Sequence, residues 1–183
     1  MKTSRDQMAD NRRRILAAAA TLFRDRGFDA VTVADIMRDA GLTHGAFYGY
    51  YASKQDLIAA ALADALQGSA ADQAPDLAAY AAFYLSASHA ADRAHGCPVA
   101  ALAAETARLD GDARTAMTLS LRRQIARLAE MSPGDTLDQK RRAAIAGWAA
   151  MVGALILARV SNDPALSDEI LENTRATLGA CVT

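Results

Sequence analysis

The amino-acid sequence predicts an all-α protein, and three observations support this prediction. Alanine, the strongest helix former, occurs 45 times in 183 residues. Valine and isoleucine, which favour strands, together occur 13 times. Glycines, prolines and capping residues divide the chain into segments of helical length. Since 52% of the residues are apolar, these helices can bury a substantial core.

The first predicted helix spans about residues 10 to 26. Its apolar residues follow one helical face: Ile15, Ala19, Leu22 and Phe23. Gly27 is placed to end this helix as a C-terminal cap. A second, short helix begins after Thr32, because Thr32 and Asp35 form a capping-box pattern, and it stops at Gly41.

Two more predicted helices follow without long connections. Thr43 can cap a short helix that runs to Tyr50, and Ser53 with Asp56 begins another that runs to about Gln67. Two short helices joined by a three-residue turn containing glycine are typical of a helix-turn-helix unit.

All four prolines lie in the second part of the chain, each near a predicted helix start, where the missing N–H is harmless. The helices predicted there span residues 76 to 91, 98 to 109, 113 to 130, 136 to 160 and 164 to 180. The segment GSAADQAP, residues 68 to 75, is the best candidate for a domain boundary. We therefore expect one domain over residues 1 to 67 and another over residues 75 to 183.

Composition and charge predict a cytoplasmic protein. The N-terminal residues are polar and lack a signal-peptide pattern. The longest apolar run, residues 143 to 158, is shorter than the roughly 20 residues of a membrane span. Two cysteines, Cys97 and Cys181, are too few for a disulfide framework. The net charge is −1, but residues 1 to 58 have a net charge of +2, a mild bias that suits a phosphate-containing partner. A solvated N-terminus explains this bias equally well.

An unusual cluster of rings lies in GLTHGAFYGYYASK, residues 41 to 54. Four of the ten aromatic residues occur there: Phe47, Tyr48, Tyr50 and Tyr51. In a helix, Phe47 and Tyr51 share one face and can pack on the core, while His44 and Tyr48 turn to another side. Such a helix fits the DNA major groove, with Thr43, Tyr50 and Lys54 placed to bind phosphate. A helical hairpin with two surface tyrosines is the alternative.

Residues 11 to 62 resemble the DNA-binding domain of the TetR/AcrR family of bacterial transcriptional regulators. Many spaced positions carry the resemblance: Ile15, Leu16, Leu22, Phe23, Gly27, Thr32, Ile36, Ala40, Gly41, Phe47, Tyr48, Ser53, Lys54 and Leu57. It implies a homodimer with an N-terminal three-helix DNA-binding unit and a larger C-terminal domain for ligand sensing and dimerisation. It also implies DNA contact at Thr32, Thr43, His44, Gly45, Tyr48, Tyr50 and Lys54. Tyr50 departs from the histidine often found there, and His44 takes a variable position that reads bases or contacts phosphate.

The resemblance also implies that the last two helices form a four-helix bundle with their copies in the partner. A symmetric dimer of this kind calls for a pseudo-palindromic operator. A broad stripe on the helix over residues 136 to 160 suits such an interface: Ile145, Trp148, Val152, Leu155, Ile156 and Arg159. From periodicity alone, burial in the core of the same chain explains this stripe equally well.

Cys97 is a candidate thiol sensor. If Pro98 is the first helical residue, Cys97 is the N-cap, where the helix dipole with Arg93 and His95 favours its thiolate. The segment GCPVAALAAE resembles one in TetR-like regulators, some of which respond to reactive compounds through a cysteine in this region. A buried, unreactive cysteine is the alternative.

Six further residues are candidates to line an apolar pocket for an uncharged or weakly polar molecule: Tyr80, Phe83, Tyr84, Met117, Trp148 and Met151. Packing in the core is the alternative for each of them. No partner completes a catalytic triad with His95 and Cys97, and no fourth ligand completes a metal site with His89. We expect no enzyme, no metal and no cofactor.

Together these features predict a homodimeric transcriptional regulator that binds double-stranded operator DNA. We expect a repressor, released when a small molecule or a reactive electrophile reaches the C-terminal domain. Two alternatives are a DNA-binding protein without an inducer response and a ligand-binding helical dimer that does not bind DNA.

Overall fold

The computed structural model describes residues 5 to 66 and 74 to 180, and these residues form helices and no strand. The helices are α1 (Arg5–Arg26), α2 (Val33–Asp39), α3 (Lys54–Ala65), α4 (Leu77–Tyr84), α5 (Ala87–Ala91), α6 (Pro98–Thr106), α7 (Asp112–Met131), α8 (Leu137–Val160) and α9 (Pro164–Ala180). A 3₁₀ helix, His44–Gly49, lies between α2 and α3. The prediction of an all-α fold is confirmed.

The first helices begin and end where the capping signals predict. Thr32 and Asp35 close a capping box at the start of α2, and the Ser53 hydroxyl accepts a hydrogen bond from a backbone N–H of α3. Gly27 and Gly41 follow α1 and α2 with φ of +81° and +66°. This left-handed region favours glycine, so both residues end their helices as expected.

Three local predictions need correction. Helix α1 begins at Arg5 rather than near residue 10. The segment after Thr43 is a 3₁₀ helix, and the Thr43 side chain makes no capping hydrogen bond; the glycines in this segment weaken an α-helix. The helix predicted over residues 76 to 91 is divided into α4 and α5, because Ser86 ends the first and caps the second.

The helices pack around one continuous hydrophobic core. Its N-terminal part is formed by α1, α2, the 3₁₀ helix and α3, which bury Ile15, Phe23, Ile36, Met37, Phe47 and Leu57 almost completely. In the C-terminal part, α8 packs against α6, α7 and α9. The two parts meet where α3 packs on α7 and α1 contacts α6. The predicted boundary over residues 68 to 75 falls mostly on residues 67 to 73, outside the described residues, and remains a prediction.

Helix α8 is long and apolar enough, by length and composition, to cross a membrane. It is 24 residues long, because it extends beyond the apolar run over residues 143 to 158 at both ends. Its buried face includes Trp148, Met151 and Leu155, and it packs between α7 and α9. Core helices of soluble proteins have the same length and composition, so one such helix is weak evidence of a membrane span.

Candidate functional site

The helix-turn-helix is formed by α2, the turn after it and the 3₁₀ helix. Phe47 and Tyr51 are buried beneath the 3₁₀ helix, whereas the Tyr48 side chain is 70% exposed. Thr43, His44 and Gly45 are exposed beside it. The prediction that two rings pack inward while Tyr48 is presented is therefore confirmed.

Gly45 and Gly49 have open space around them. A Cβ atom added at either position would meet nothing within 4 Å. Packing within the chain therefore does not require glycine at these two positions. The absence of a side chain there leaves the backbone of the 3₁₀ helix open to close approach by another surface.

Three of the predicted DNA contacts have hydrogen-bond partners within the chain. The Thr32 hydroxyl donates to Oδ2 of Asp35 at 2.6 Å. The Tyr50 hydroxyl accepts a hydrogen bond from Nδ2 of Asn11 at 2.9 Å. The Lys54 ammonium donates to the backbone carbonyl of Phe28 at 2.6 Å. These contacts fix the positions of side chains that the sequence places at the predicted DNA surface.

Helix α1 adds guanidinium groups to the same region. The Arg12 guanidinium lies over the Tyr51 ring, 5.6 Å from its centroid. A Cβ atom added at Gly41 would lie 2.5 Å from Nη2 of Arg14, so this side chain reaches the turn of the helix-turn-helix. The sequence shows that these arginines are clustered, but it does not show that they approach the turn and the aromatic segment.

The Asp35 carboxylate accepts several hydrogen bonds at the N-terminus of α2. Hydrogen bonds from the Thr32 hydroxyl and backbone N–H, and one from Arg38, lower the pKa of Asp35 to about 2. Asp35 is therefore ionised at neutral pH, and its charge supports the N-terminus of α2. Its role is to cap the helix rather than to bind DNA.

A cavity of about 540 Å³ lies where the N-terminal helices meet the C-terminal helices. Four of the six predicted pocket residues line it: Tyr80, Phe83, Tyr84 and Trp148. Met117 and Met151 do not line it, and both are buried in the core. The Trp148 side chain has a buried polar atom without a hydrogen-bond partner among the described residues, and the buried Tyr84 hydroxyl interacts with Cys97.

The wall of this cavity includes charged side chains, whereas the six residues predicted to line it are all neutral. Arg24 of α1 and Asp64 of α3 contribute to it, as does His89 of α5. Burial lowers the pKa of Arg24, whose Nε donates to the carbonyl of Ala94 at 2.6 Å. The residues predicted to line the cavity all belong to the C-terminal segment, whereas α1 and α3 supply part of the wall.

Cys97 lines the same cavity and precedes α6 as its N-cap, with Pro98 at the first helical position. This confirms the predicted placement, although the Cys97 side chain makes no capping hydrogen bond. Its expected neighbours are engaged elsewhere, because Arg93 donates to the carbonyl of Asp25 and His95 contacts Asp92.

Two other guanidinium groups interact electrostatically with Cys97. They belong to Arg24 of α1 and Arg159 of α8. Arg159 also donates hydrogen bonds to the backbone carbonyls of His89 and Ala90, at 2.9 and 3.0 Å. The segment that carries Cys97 is thus held from both sides by arginines.

The predicted dimerisation stripe on α8 is divided between two surfaces. Trp148 and Leu155 are buried in the core of this chain, and Arg159 binds the carbonyls near α5. Ile145 and Ile156 of the stripe remain exposed, as do four further large apolar residues of α8 and α9: Leu137, Leu157, Val160 and Leu166. Exposed apolar side chains therefore lie both on the predicted stripe and beside it.

Within residues 5 to 66 and 74 to 180, no three histidine, cysteine, aspartate or glutamate side chains are grouped so that they could hold a metal ion.

The fold and the exposed helix-turn-helix place this protein in the class of all-helical proteins with an N-terminal helix-turn-helix. The family model described as "Bacterial regulatory proteins, tetR family" matches residues 15 to 61. Residues 15 to 61 thus carry the DNA-binding domain that this family model describes. Proteins of this family bind operator DNA and act as dimers. They are regulators and not enzymes, as the sequence predicts for this chain.

Two curated relatives illustrate how far the sequence similarity extends. The transcriptional repressor KstR2 of Mycolicibacterium smegmatis is 42% identical over 60 residues, 33% of this chain and 29% of that protein. The uncharacterized HTH-type regulator YdgC of Bacillus subtilis is 40% identical over 55 residues, 30% of this chain and 28% of that protein. The matches to these relatives thus span less than a third of their length.

Similarity of fold extends over nearly the whole chain. The crystal structure of the reduced form of E. coli NemR has a TM-score of 0.73 at 23% identity, covering 95% of this chain and 97% of that one. A TetR-family regulator from Agrobacterium tumefaciens has a TM-score of 0.76 at 22% identity, covering 96% and 99%. At these identities the likeness establishes the fold.

Proposed function

We propose that this protein is a cytoplasmic, homodimeric repressor that binds a pseudo-palindromic operator and releases it when an effector reaches the cavity. The exposed surface of the 3₁₀ helix carries the DNA-binding part of this proposal. It presents His44 and Gly45 at the N-terminal end of the second helix of the helix-turn-helix, the part that faces base edges in the major groove, and Tyr48 near the other end.

The residues of this surface have different proposed roles. His44 reads base edges, since its exposed imidazole offers a donor and an acceptor. Tyr48, Lys54 and the exposed Thr43 contact phosphates and set the register of the helix on the duplex. Gly45 lets the backbone approach the DNA closely. Thr32 and Tyr50 complete the surface at its edges, and both are already oriented by hydrogen bonds within the chain.

The proposed effector site is the cavity, and Cys97 gives it a reactive group. We propose that the Cys97 sulfur adds to an electrophilic carbon of a small molecule held among Tyr80, Phe83 and Tyr84. With an activated alkene, a carbon–sulfur bond forms, the double bond is lost, and the thiol proton passes to the neighbouring carbon. Because the cavity lies between α1 and the C-terminal helices, filling it favours a dimer whose recognition helices are wrongly spaced.

The DNA-binding proposal is tested by incubating purified, reduced protein with random duplex DNA at about 0.15 M salt, where non-specific binding is weak. We expect the retained DNA to contain a palindrome with half-sites about one helical turn or more apart. Retention of DNA with no common sequence, or of none, would overturn the proposal of a sequence-specific repressor.

The effector proposal is tested with N-ethylmaleimide on the Cys181→Ser protein, in which Cys97 is the remaining cysteine. We expect alkylation to release the selected operator and the Cys97→Ser, Cys181→Ser protein to keep it after the same treatment. Equal operator affinity before and after complete alkylation of Cys97 would refute the thiol-sensing role.

A further inference from the structure

A single carboxylate connects α6 with the end of α1. Oε2 of Glu105 accepts a hydrogen bond from the backbone N–H of Phe28 at 2.6 Å, across 77 positions of the chain. The other carboxylate oxygen lies against Gly27, where an added Cβ atom would be 2.5 Å from it. The short distance and the charged acceptor indicate a strong hydrogen bond.

Phe28 is held by three different helices. While Glu105 binds its N–H, its carbonyl accepts the hydrogen bond from the Lys54 ammonium at 2.6 Å. Its ring is buried and packs edge-on against Phe23 of α1, with 5.2 Å between the ring centroids. The position of the Lys54 ammonium is thus linked to Glu105 through one residue.

Helix α1 does not need Glu105 in order to end. The N–H of Gly27 already donates to the carbonyl of Phe23 at 2.8 Å, which closes the last turn. A negative charge is also unfavourable near the C-terminal end of a helix dipole. The local stability of α1 therefore does not explain the position of this carboxylate.

Helix α6 joins this contact to the cavity. Cys97, which lines the cavity, lies directly before α6, and Glu105 lies eight residues further on, near the other end of the helix. This separation is about 12 Å along a helix axis. A shift of α6 at the cavity is therefore carried directly to Phe28.

We propose that Glu105 is a positioning residue for DNA binding, which acts by holding Phe28 so that Lys54 is oriented towards an operator phosphate. This inference rests on the proposed function, since it requires that Lys54 contribute to operator binding. Loss of the Glu105 hydrogen bond frees the segment between α1 and α2, and the Lys54 ammonium loses its fixed position.

The test compares Glu105→Ala with Glu105→Gln, using the operator selected by the unmodified protein. Both changes remove a negative charge, and by charge alone both should bind DNA more tightly. Only the glutamine keeps an oxygen that can accept from the Phe28 N–H. We expect Glu105→Ala to weaken operator binding about tenfold, and Glu105→Gln to stay within about threefold of the unmodified protein.

Two further measurements separate positioning from a general structural effect. In the Lys54→Ala background, Glu105→Ala should cause no additional loss of affinity, because its effect passes through Lys54. The matched control is Asp110→Ala, which removes an exposed carboxylate just beyond α6 that lies 4.0 Å from Arg114. This control should not weaken binding. Circular dichroism confirms that each variant is folded at the temperature of the assay.

Two results would overturn the inference. One is that Glu105→Ala lowers operator affinity equally in the presence and in the absence of Lys54. The other is that Glu105→Ala and Glu105→Gln lower operator affinity equally. Tight operator binding by Lys54→Ala alone would also overturn it, while leaving the proposed repressor function intact. If the unmodified protein selects no DNA, it is the proposed function that fails, and the inference fails with it.

Discussion

The Nε2 atom of His89 accepts a hydrogen bond from the backbone N–H of Cys97 at 3.0 Å, and this contact fixes the tautomer of the imidazole. A backbone N–H can only donate, so Nε2 carries no proton. The other ring nitrogen, Nδ1, lies 2.7 Å from the carbonyl of Tyr84 and must therefore carry the proton and donate it. His89 is thus neutral where it supports the segment that carries Cys97.

This arrangement predicts a pH-dependent stability. Burial lowers the pKa of His89, the nearby Arg159 lowers it further, and the Tyr84 carbonyl and Asp92 oppose them. The unfolded chain then binds a proton at this imidazole more readily than the folded chain does. Neutral His89 therefore makes its full contribution to the free energy of unfolding above the unfolded pKa of about 6.5. It is lost progressively as the pH falls from there towards the lowered pKa.

We expect the free energy of unfolding of the unmodified protein, measured with urea at several pH values, to decrease as the pH is lowered from 7.5 to 5. The His89→Gln protein should lose most of this slope, because it has no proton to gain. His95→Gln is the matched control, since His95 is exposed and lies outside this hydrogen-bond pair. If the free energy of unfolding of His89→Gln depends on pH as steeply as that of the unmodified protein, the assignment of a neutral His89 in the folded protein is contradicted.

The surface of the 3₁₀ helix predicts two different kinds of DNA-binding variant. Because the Tyr48 side chain is 70% exposed, Tyr48→Ala should change the free energy of unfolding by less than about 0.5 kcal/mol. It should nevertheless weaken binding to all duplex sequences alike, as expected for a phosphate contact.

His44→Ala should instead change the sequence preference. A base-reading side chain contributes about 1 to 3 kcal/mol of discrimination at its position. We therefore expect the duplex selected by His44→Ala to become degenerate at one or two positions in each half-site and unchanged elsewhere. A uniform loss of affinity without a change in the selected sequence would assign His44 to phosphate instead.

The exposed apolar surface near the end of α8 predicts where the dimer can be broken. Leu157 and Val160 are 58% and 77% exposed, although both are large and apolar. We expect Leu157→Glu to convert the dimer into a folded monomer, as measured by sedimentation velocity, and to abolish binding to the palindrome. Leu119→Glu on α7, at a residue that is 50% exposed, is the matched control and should remain dimeric. A dimeric Leu157→Glu protein would place the interface elsewhere.

The sequence predicted local features better than contacts between distant segments. Thr32, Ser53 and Pro98 mark helix starts correctly, because capping depends on residues three or four positions away. Periodicity groups Trp148 with Ile156 on α8, but it cannot tell which of them faces the chain's own core, since that depends on how α6, α7 and α9 are arranged.

The parts of the site that the sequence missed are joined across long stretches of chain. Arg24 reaches Ala94, and Glu105 reaches Phe28, across 70 and 77 positions. No spacing rule relates such residues, because the fold alone brings them together. An arginine at the end of α1 therefore gives no sign, in the sequence, that it belongs to the cavity wall.

The glycine beside Glu105 supplies a last prediction, which concerns stability. Gly27 has a φ of +81°, and a Cβ atom there would meet the Glu105 carboxylate at 2.5 Å. Gly27→Ala should therefore lower the free energy of unfolding through backbone strain, about 1 to 2 kcal/mol, and also through displacement of Glu105 from Phe28. Gly41→Ala is the matched control, because φ there is +66° and the added atom meets only the mobile end of Arg14.

We expect the two contributions at Gly27 to separate in a double-mutant cycle measured by urea unfolding. In the Glu105→Ala background the carboxylate is absent, so Gly27→Ala should cost only the backbone strain, as Gly41→Ala does. The double variant should then lose less free energy of unfolding than the two single variants lose in sum, which is the signature of residues in direct contact. Strictly additive losses would mean that Gly27 and Glu105 act independently, and that glycine is needed at position 27 for its backbone conformation alone.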